Sequence, residues 1–330
     1  MTRFGESVAD ALAAADRWNT PSAFGDRALL DRLGELFDAP EGRTLVTGGV
    51  RSFATAWSGR TRTAVVELPS FSEIPEILAA AGPVRRAPWR RLPEIVGELT
   101  EPTTVWLTNP ARNPDGRSLD ERQLDALAAL AGAGHQVVLN QVYRWFVEPG
   151  PVPEGIWTVT SLAKMCGGGS RLGWAVMPAV EPPEASLRAC APGTVWQRAW
   201  AGFLNRRVVA DLRSACIEPT VDARRAFETA TAGLLGWEFH GDGLSLALEC
   251  PTPEAASGRH PGARTEGELL ALLAEAGVSA SPGAAFAMPT ASVRLAFSGV
   301  AVAQARDAAE RIARLVDRAG PCLRPCPDGL

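Results

Sequence analysis

Several things are scarce in this chain of 330 residues. It has one tyrosine, three histidines and four methionines. No apolar run approaches the roughly 20 residues that a membrane-crossing helix needs. Stretches such as Val137–Leu139 and Trp174–Met177 are far shorter, so no transmembrane segment and no membrane partner are expected. The opening "MTRFGESVADALAAADRW" lacks a basic segment followed by an unbroken apolar run and a cleavage site. A cytoplasmic location is therefore the expectation. Basic excess is missing too: 33 Lys+Arg stand against 37 Asp+Glu, a formal net charge of −4. Phosphate-backbone binding needs the opposite balance, which argues against a nucleic-acid partner.

The six cysteines, Cys166, Cys190, Cys216, Cys250, Cys322 and Cys326, are scattered rather than framed. In a reducing compartment that pattern predicts free thiols and no disulfides. Cys322 and Cys326 lie close together in a proline-rich tail, but no second cysteine pair or adjacent histidine completes a zinc site. No metal is expected.

What is present is a 46% hydrophobic composition, enough to bury a substantial core. Short β-branched or apolar runs recur with helical segments between them: "RTLVTGG", "TRTAVVELP", "TTVWLTNP", "HQVVLNQ", "IWTVTSL" and "LGWAVMP". That alternation predicts α/β organisation. Between the third and fourth runs, "SLDERQLDALAALAGAG" places Ser118 and Glu121 in capping-box spacing and Leu124, Leu127 and Ala131 on one helical face. A strand, this helix and the next strand make a crossover whose strands run parallel, with functional groups at their carboxyl ends. Asn109, Asn113 and Asn140 fall at such ends. Beyond about residue 205 a long arginine-rich helical region, "LSLALECP", the helix "TEGELLALLAEAG", "SVRLAFS" and a final amphipathic helix near Ala303–Ala319 read as a smaller α+β domain. The Gly- and Pro-rich "TPEAASGRHPGARTEG" reads as a surface loop.

The chemistry concentrates around Lys164. A lone lysine at a strand end is ordinarily a solvated charge, but its company changes the reading. Ser161, Arg171 and the backbone amides of "TGGVRS" (Thr47–Ser52) supply a hydroxyl, a guanidinium and N–H groups at a Gly-containing strand-to-helix turn. Those are the groups that hold phosphate. A phosphate beside a lysine amine suggests pyridoxal 5'-phosphate, whose aldehyde forms a Schiff base with lysine. On the residues alone, Phe71 could be core packing, Arg294 could pair with an internal acid, and Asn109 reads as a turn residue.

The ordered series of motifs resembles the fold-type I pyridoxal-phosphate enzymes of the class I/II aminotransferase superfamily. "TGGVRS" looks like the phosphate-cradle turn, "LPSF" like the motif whose aromatic covers the cofactor ring, and "TNPARNPDG" like the Asn-Pro-x-x-Asn-Pro-x-Gly signature. "NQVYRWF" stands where the family has Asp-x-x-Tyr and "SLAK" where it has Ser-x-x-Lys. "GSRLGW" matches the phosphate-binding arginine motif, and "SVRLAF" the substrate-carboxylate arginine motif. Residues from about 44 to 298 are covered. "GSRLGW" and the aromatic run at Tyr143 look most like the alliinase and plant tryptophan aminotransferase branch.

The resemblance implies a large domain with a mixed, mostly parallel sheet sandwiched by helices, plus a smaller C-terminal α+β domain. The expected division is an N-terminal segment (1–40), a pyridoxal-phosphate-binding domain (41–205) and a small domain (206–330). It implies a homodimer with the active site at the interface, acting on an amino acid or keto acid. Lys164 would form the Schiff base and then move the α-proton. Asn113 and Tyr143 would hydrogen-bond the cofactor's phenolic oxygen, and Phe71 would stack on the pyridine face. Gly49, Val50, Arg51, Ser161 and Arg171 would hold the phosphate, and Arg294, with Asn113, the substrate carboxylate. An aminotransferase is the first expectation. A β-eliminating carbon–sulfur lyase and a noncatalytic binding protein on the same fold are the alternatives.

One departure stands out. The family's aspartate at the pyridine nitrogen is here Asn140, which cannot supply the charge that keeps that nitrogen protonated. Another acid could be recruited, and Glu148 is near in sequence. The segment from Lys164 to Arg171 is also about one residue shorter than the family's usual loop, and the chain is compact for the family.

Overall fold

The computed structural model describes residues 4–14, 22–180, 183–237, 239–250 and 265–319. Cys322, Cys326 and most of the "TPEAASGRHPGARTEG" segment lie outside the described residues. The chain divides into two compact units. One comprises residues up to Glu67, Ser72–Pro110 and Leu119–Ala215; the other comprises Leu68–Phe71, Ala111–Ser118 and the residues from Cys216 onward.

In the first unit seven strands form one sheet: β1 (Thr44–Thr47), β2 (Ala64–Leu68), β3 (Val84–Pro88), β4 (Thr104–Thr108), β5 (Gln136–Asn140), β6 (Trp157–Ser161) and β7 (Gly173–Val176). Their spatial order is β1-β7-β6-β5-β4-β2-β3. β2, β4, β5 and β6 pair in parallel, whereas β7 runs antiparallel to both β6 and β1. This is the mixed, mostly parallel sheet of an α/β fold. All six apolar runs identified in the sequence are strands. The sequence reading missed β3, whose Arg85 and Arg86 are exposed on the sheet edge, where charge is a normal defence against further pairing.

Side-chain alternation divides the sheet's residues between two cores. Val65, Val105, Leu107, Val137 and Leu139 join a cluster with Leu92, Ile95 and Leu127. Val66, Trp106 and Val138 join another with Phe53, Trp57 and Leu187. Strands buried on both faces read as continuous apolar runs, as these do. The helix Glu121–Gly132 forms as expected, with two corrections. Its N-cap is Asp120, reciprocally bonded with Gln123 in a capping box, and not Ser118. The Ser118 hydroxyl instead accepts from the Ala111 amide at 3.1 Å. Its buried face is Ala126, Leu127 and Leu130, with Leu124 and Ala131 only partly covered.

Inside this unit lies a carboxylate that the sequence did not single out. Glu67, 4% exposed on β2, accepts from the Trp89 indole N–H and the Thr108 amide, both at 3.0 Å on Oε2. It ties β2 to the end of β4, and Thr108 directly precedes Asn109.

The second unit holds a three-stranded antiparallel sheet of β8 (Ser245–Glu249), β9 (Ser281–Pro282) and β10 (Ser292–Ala296) in the order β8-β10-β9. The helices Glu218–Thr231, Glu266–Glu275 and Val302–Ala319 share a core with it, including Phe227, Leu246, Leu269, Val293 and Ile312. Buried Arg224 donates to the carbonyls of Gly241 (2.7 Å) and Ser245 (2.8 Å) and pairs with Glu228, so it holds the entry to β8. Among the described residues no helix is long and apolar enough to cross a membrane.

Replacing Glu67 by leucine leaves two buried donors unsatisfied, each costing about 1–3 kcal/mol. Urea unfolding of Glu67→Leu should therefore show a loss of about 2–6 kcal/mol. A midpoint equal to the parent's would show that Glu67 does not brace the sheet.

Candidate active site

At the centre of the site lies one cross-strand row. Gly173 pairs with Thr47 of β1 on one side and Ser161 of β6 on the other. A Cβ on Gly173 would lie 2.3 Å from the Thr160 carbonyl oxygen and 2.9 Å from the Gly49 Cα. Only a glycine lets the turn after β1 settle over β7. That turn runs through Gly49, at φ 104°, into the helix Val50–Ser58. Gly49 supplies no side-chain cap, so the helix opens with N–H groups that have no acceptor in their own helix. The Ser161 Cβ is 3.6 Å from where a Cβ on Gly49 would be.

Arg171 completes this cradle. It adopts the left-handed conformation at φ 44°, which costs a residue with a Cβ about 1–2 kcal/mol. In that conformation its guanidinium donates to the Ser52 hydroxyl at 3.2 Å, on the first turn of the same helix. A helix N-terminus, the Ser52 hydroxyl and a guanidinium converge, with Ser161 beside the turn, where an anion is favoured twice over, by N–H donors and by the helix dipole. The Arg51 side chain is turned away and pairs with Glu73 at 2.5 Å, which leaves its backbone amide for the cradle. Beside the cradle is an open depression of about 540 Å³ lined in part by Gly48, Ser52, Arg171 and Cys190.

Lys164 follows Ser161 on a short helix, Ala163–Cys166, and is exposed. It is the only lysine in the chain, a signal open to inspection in the sequence that the motif reading did not use. Its Nζ lies 5.6 Å from the ring centroid of Tyr143, the only tyrosine, which is 7% exposed. The Ser161 carbonyl accepts from the Trp145 indole N–H at 2.9 Å, and the Ser170 carbonyl accepts from Trp196 and Trp200. The segment around the lysine is thereby anchored at both ends.

Asn140 ends β5 and is 6% exposed. Its Oδ1 accepts from the Val142 amide at 3.1 Å, and its Nδ2 lies 3.5 Å from the Thr108 hydroxyl. Glu148 is exposed, and its charge acts on Arg144, whose guanidinium burial pushes below its usual range while Glu148 and Asp38 oppose the shift. Asn109 directly follows β4, its Oδ1 accepting from the Leu119 amide at 2.9 Å.

In the second unit the structure brings together Asn113 and Arg294. The Arg294 guanidinium donates to Asn113 Oδ1 at 3.3 Å and to the Ser281 hydroxyl at 3.4 Å, and lies 5.0 Å from the Phe286 ring centroid. Arg294 is half-buried on β10, whereas Phe71 is 41% exposed.

The sheet defines an α/β fold, and the cradle sets N–H groups and a guanidinium at the amino end of a helix. The description of aminotransferase class I and II matches residues 2–214, more than half of the chain. The chain belongs to that family and is a pyridoxal-phosphate-dependent aminotransferase of fold type I. Among solved structures, a tetra mutant of Thermus thermophilus aspartate aminotransferase is 22% identical, with TM-score 0.72 over 94% of this chain and 92% of that one. The multiple substrate aminotransferase of Thermococcus profundus is 16% identical, with TM-score 0.74 over 96% and 87%. LysN, the alpha-aminoadipate aminotransferase of Thermus thermophilus, is 17% identical, with TM-score 0.71 over 95% and 88%, and was solved with N-(5'-phosphopyridoxyl)-L-leucine. At these identities the likeness is one of fold. No curated protein matches the sequence at a significant level.

The residues present fit pyridoxal phosphate. The uncapped helix end, Ser161 and Arg171 match a phosphate, and a lysine amine next to them matches an aldehyde.

Two outcomes follow. Ala at 173 should cost about 1–3 kcal/mol through overpacking, and should weaken pyridoxal phosphate binding in a fluorescence titration; unchanged affinity would contradict the cradle geometry. Burial pushes the Cys190 thiol up to about 12, so at pH 8 it is protonated and slow to alkylate. Peptide mapping after brief iodoacetamide treatment should find exposed Cys216 labelled well before Cys190; equal labelling would contradict it.

Proposed function

We propose that Lys164 is the residue that holds pyridoxal phosphate, and that the enzyme transfers the amino group of an α-amino acid to a keto acid. One observation carries the reading. The sole side-chain amine of the chain lies 5.6 Å from the ring of its sole tyrosine and follows by three residues Ser161, which stands against the Gly49 turn.

When bound, the cofactor supplies an aldehyde that captures amines and a ring that withdraws electrons from the captured carbon. The chain's own residues do the rest. The amides of Gly49, Val50 and Arg51, with Ser161 and Arg171, bind the phosphate as preorganised donors. Lys164 would hold the aldehyde and would carry the proton at the substrate's α-carbon. Tyr143 sits against that amine, and with Asn113 it would donate to the cofactor's phenolic oxygen. Phe71, with much of its ring exposed, would cover the pyridine face. Arg294, steered by Asn113 and Ser281, would bind the substrate carboxylate through its planar fork. We read residues 41–205 as the cofactor-binding domain and 206–330 as the small domain. The assembly is a cytoplasmic homodimer, with the active site at the interface as in the family.

Asn140 favours one second reading. An amide in place of the family's aspartate would not hold the ring nitrogen protonated and would leave a weaker electron sink, with a carbon–sulfur or other β-eliminating lyase as the alternative.

The loaded protein should show a visible absorbance band that Lys164→Ala lacks. A band that persists in Lys164→Ala contradicts the assignment. Incubated with a panel of amino acids, the parent should yield keto acids with aminated cofactor; pyruvate and ammonia would point to the lyase.

A further inference from the structure

We infer that Asn140 offers an N–H, and not an acceptor, to the pyridine nitrogen of the cofactor, so that this nitrogen works unprotonated. The inference rests on the reading above, which places Asn140 at that nitrogen.

The argument begins with which way the amide points. A backbone N–H can only donate, so the Asn140 side-chain atom 3.1 Å from the Val142 amide is the carbonyl oxygen. The contact spans two residues and forms the turn that asparagine makes with its own backbone. Flipping the amide would set its NH₂ against the Val142 N–H, donor to donor. The orientation is therefore fixed by hydrogen-bond chemistry within the chain.

The donor of the side chain is Nδ2, on the side of the amide away from the Val142 contact, and it carries two hydrogens. One is directed at the Thr108 hydroxyl, 3.5 Å away. Thr108 is held in turn: its amide donates to Glu67, which also takes the Trp89 indole N–H. The Asn140 backbone carbonyl accepts from Asn109 at 3.0 Å. With the amide orientation set by Val142 and one hydrogen directed at Thr108, the second Nδ2 hydrogen is the group that we take to meet the cofactor. A ring nitrogen meeting an N–H donor must offer its lone pair, and a nitrogen using its lone pair cannot also carry a proton.

Glu67 does not reverse this. Both of its known donors converge on Oε2 from within the protein, and the group it reaches on the Asn140 side is a backbone amide.

Aspartate at 140 has the same shape. Its Oδ1 can keep the Val142 bond, and the Thr108 hydroxyl can rotate to donate to Oδ2. The fold is retained while the group facing the cofactor changes from donor to anionic acceptor.

The test is ¹⁵N NMR of the holoenzyme loaded with pyridoxal phosphate labelled at the ring nitrogen, for the parent and Asn140→Asp. The expected result is a parent resonance at the position of an unprotonated pyridine across the neutral pH range, and an upfield shift to the pyridinium position in Asn140→Asp. A pyridinium resonance in the parent overturns this inference alone. Coincident resonances in the two proteins overturn the placement of Asn140. A parent that gains no visible band with the labelled cofactor overturns the functional reading, and this inference with it.

Discussion

The close approach at Gly173 is the constraint on which the site depends. β7 runs against its neighbours, so Thr47 and Ser161 flank a single residue, and both strands are followed by functional segments. The turn after Thr47 delivers a helix amino terminus, and the turn after Ser161 delivers Lys164. Without a side chain at 173 the first turn packs onto the row, with the Gly49 Cα less than a van der Waals contact from where a Cβ would stand. Arg171, two residues earlier, accepts an unfavourable backbone conformation and bonds to the helix it faces. The proposed phosphate cradle thus depends on backbone placement first and on charge second.

Much of this was legible in the sequence because the elements obey simple periodicities. Strands buried on both faces appear as apolar runs, and all six such runs are strands of one sheet. β3 escaped because its Arg85 and Arg86 carry edge polarity rather than core pattern. The helix after β4 was read correctly while its cap was not. Ser118 and Glu121 have the right spacing, but the hydroxyl is already bonded to Ala111, and Asp120 with Gln123 makes the reciprocal pair.

The motifs of the proposed site could be read along the chain, its contacts less so. Sequence order singles out Lys164, Tyr143, Ser161 and Arg171; in the folded unit Lys164 lies beside the Tyr143 ring, Ser161 beside the Gly49 turn and Arg171 against Ser52. It did not show that the Arg51 guanidinium is turned to Glu73, because a charge next to a glycine turn looks like a ligand whichever way it points. It also did not bring out Glu67, whose role comes from contacts with Trp89 and Thr108 that are distant in sequence. Glu148, an acid near Asn140 in sequence, is instead exposed and coupled to Arg144. Proximity along the chain is a poor guide to which carboxylate is buried, since that depends on tertiary donors.

The central claim is that the amine of Lys164 holds the cofactor, and the single lysine makes the measurement unusually clean. Borohydride reduction of the loaded protein, followed by proteolysis and mass spectrometry, should find one pyridoxyl group per chain, on the peptide that contains Thr158–Arg171. A reduced protein with no pyridoxyl mass at Lys164 would contradict the account.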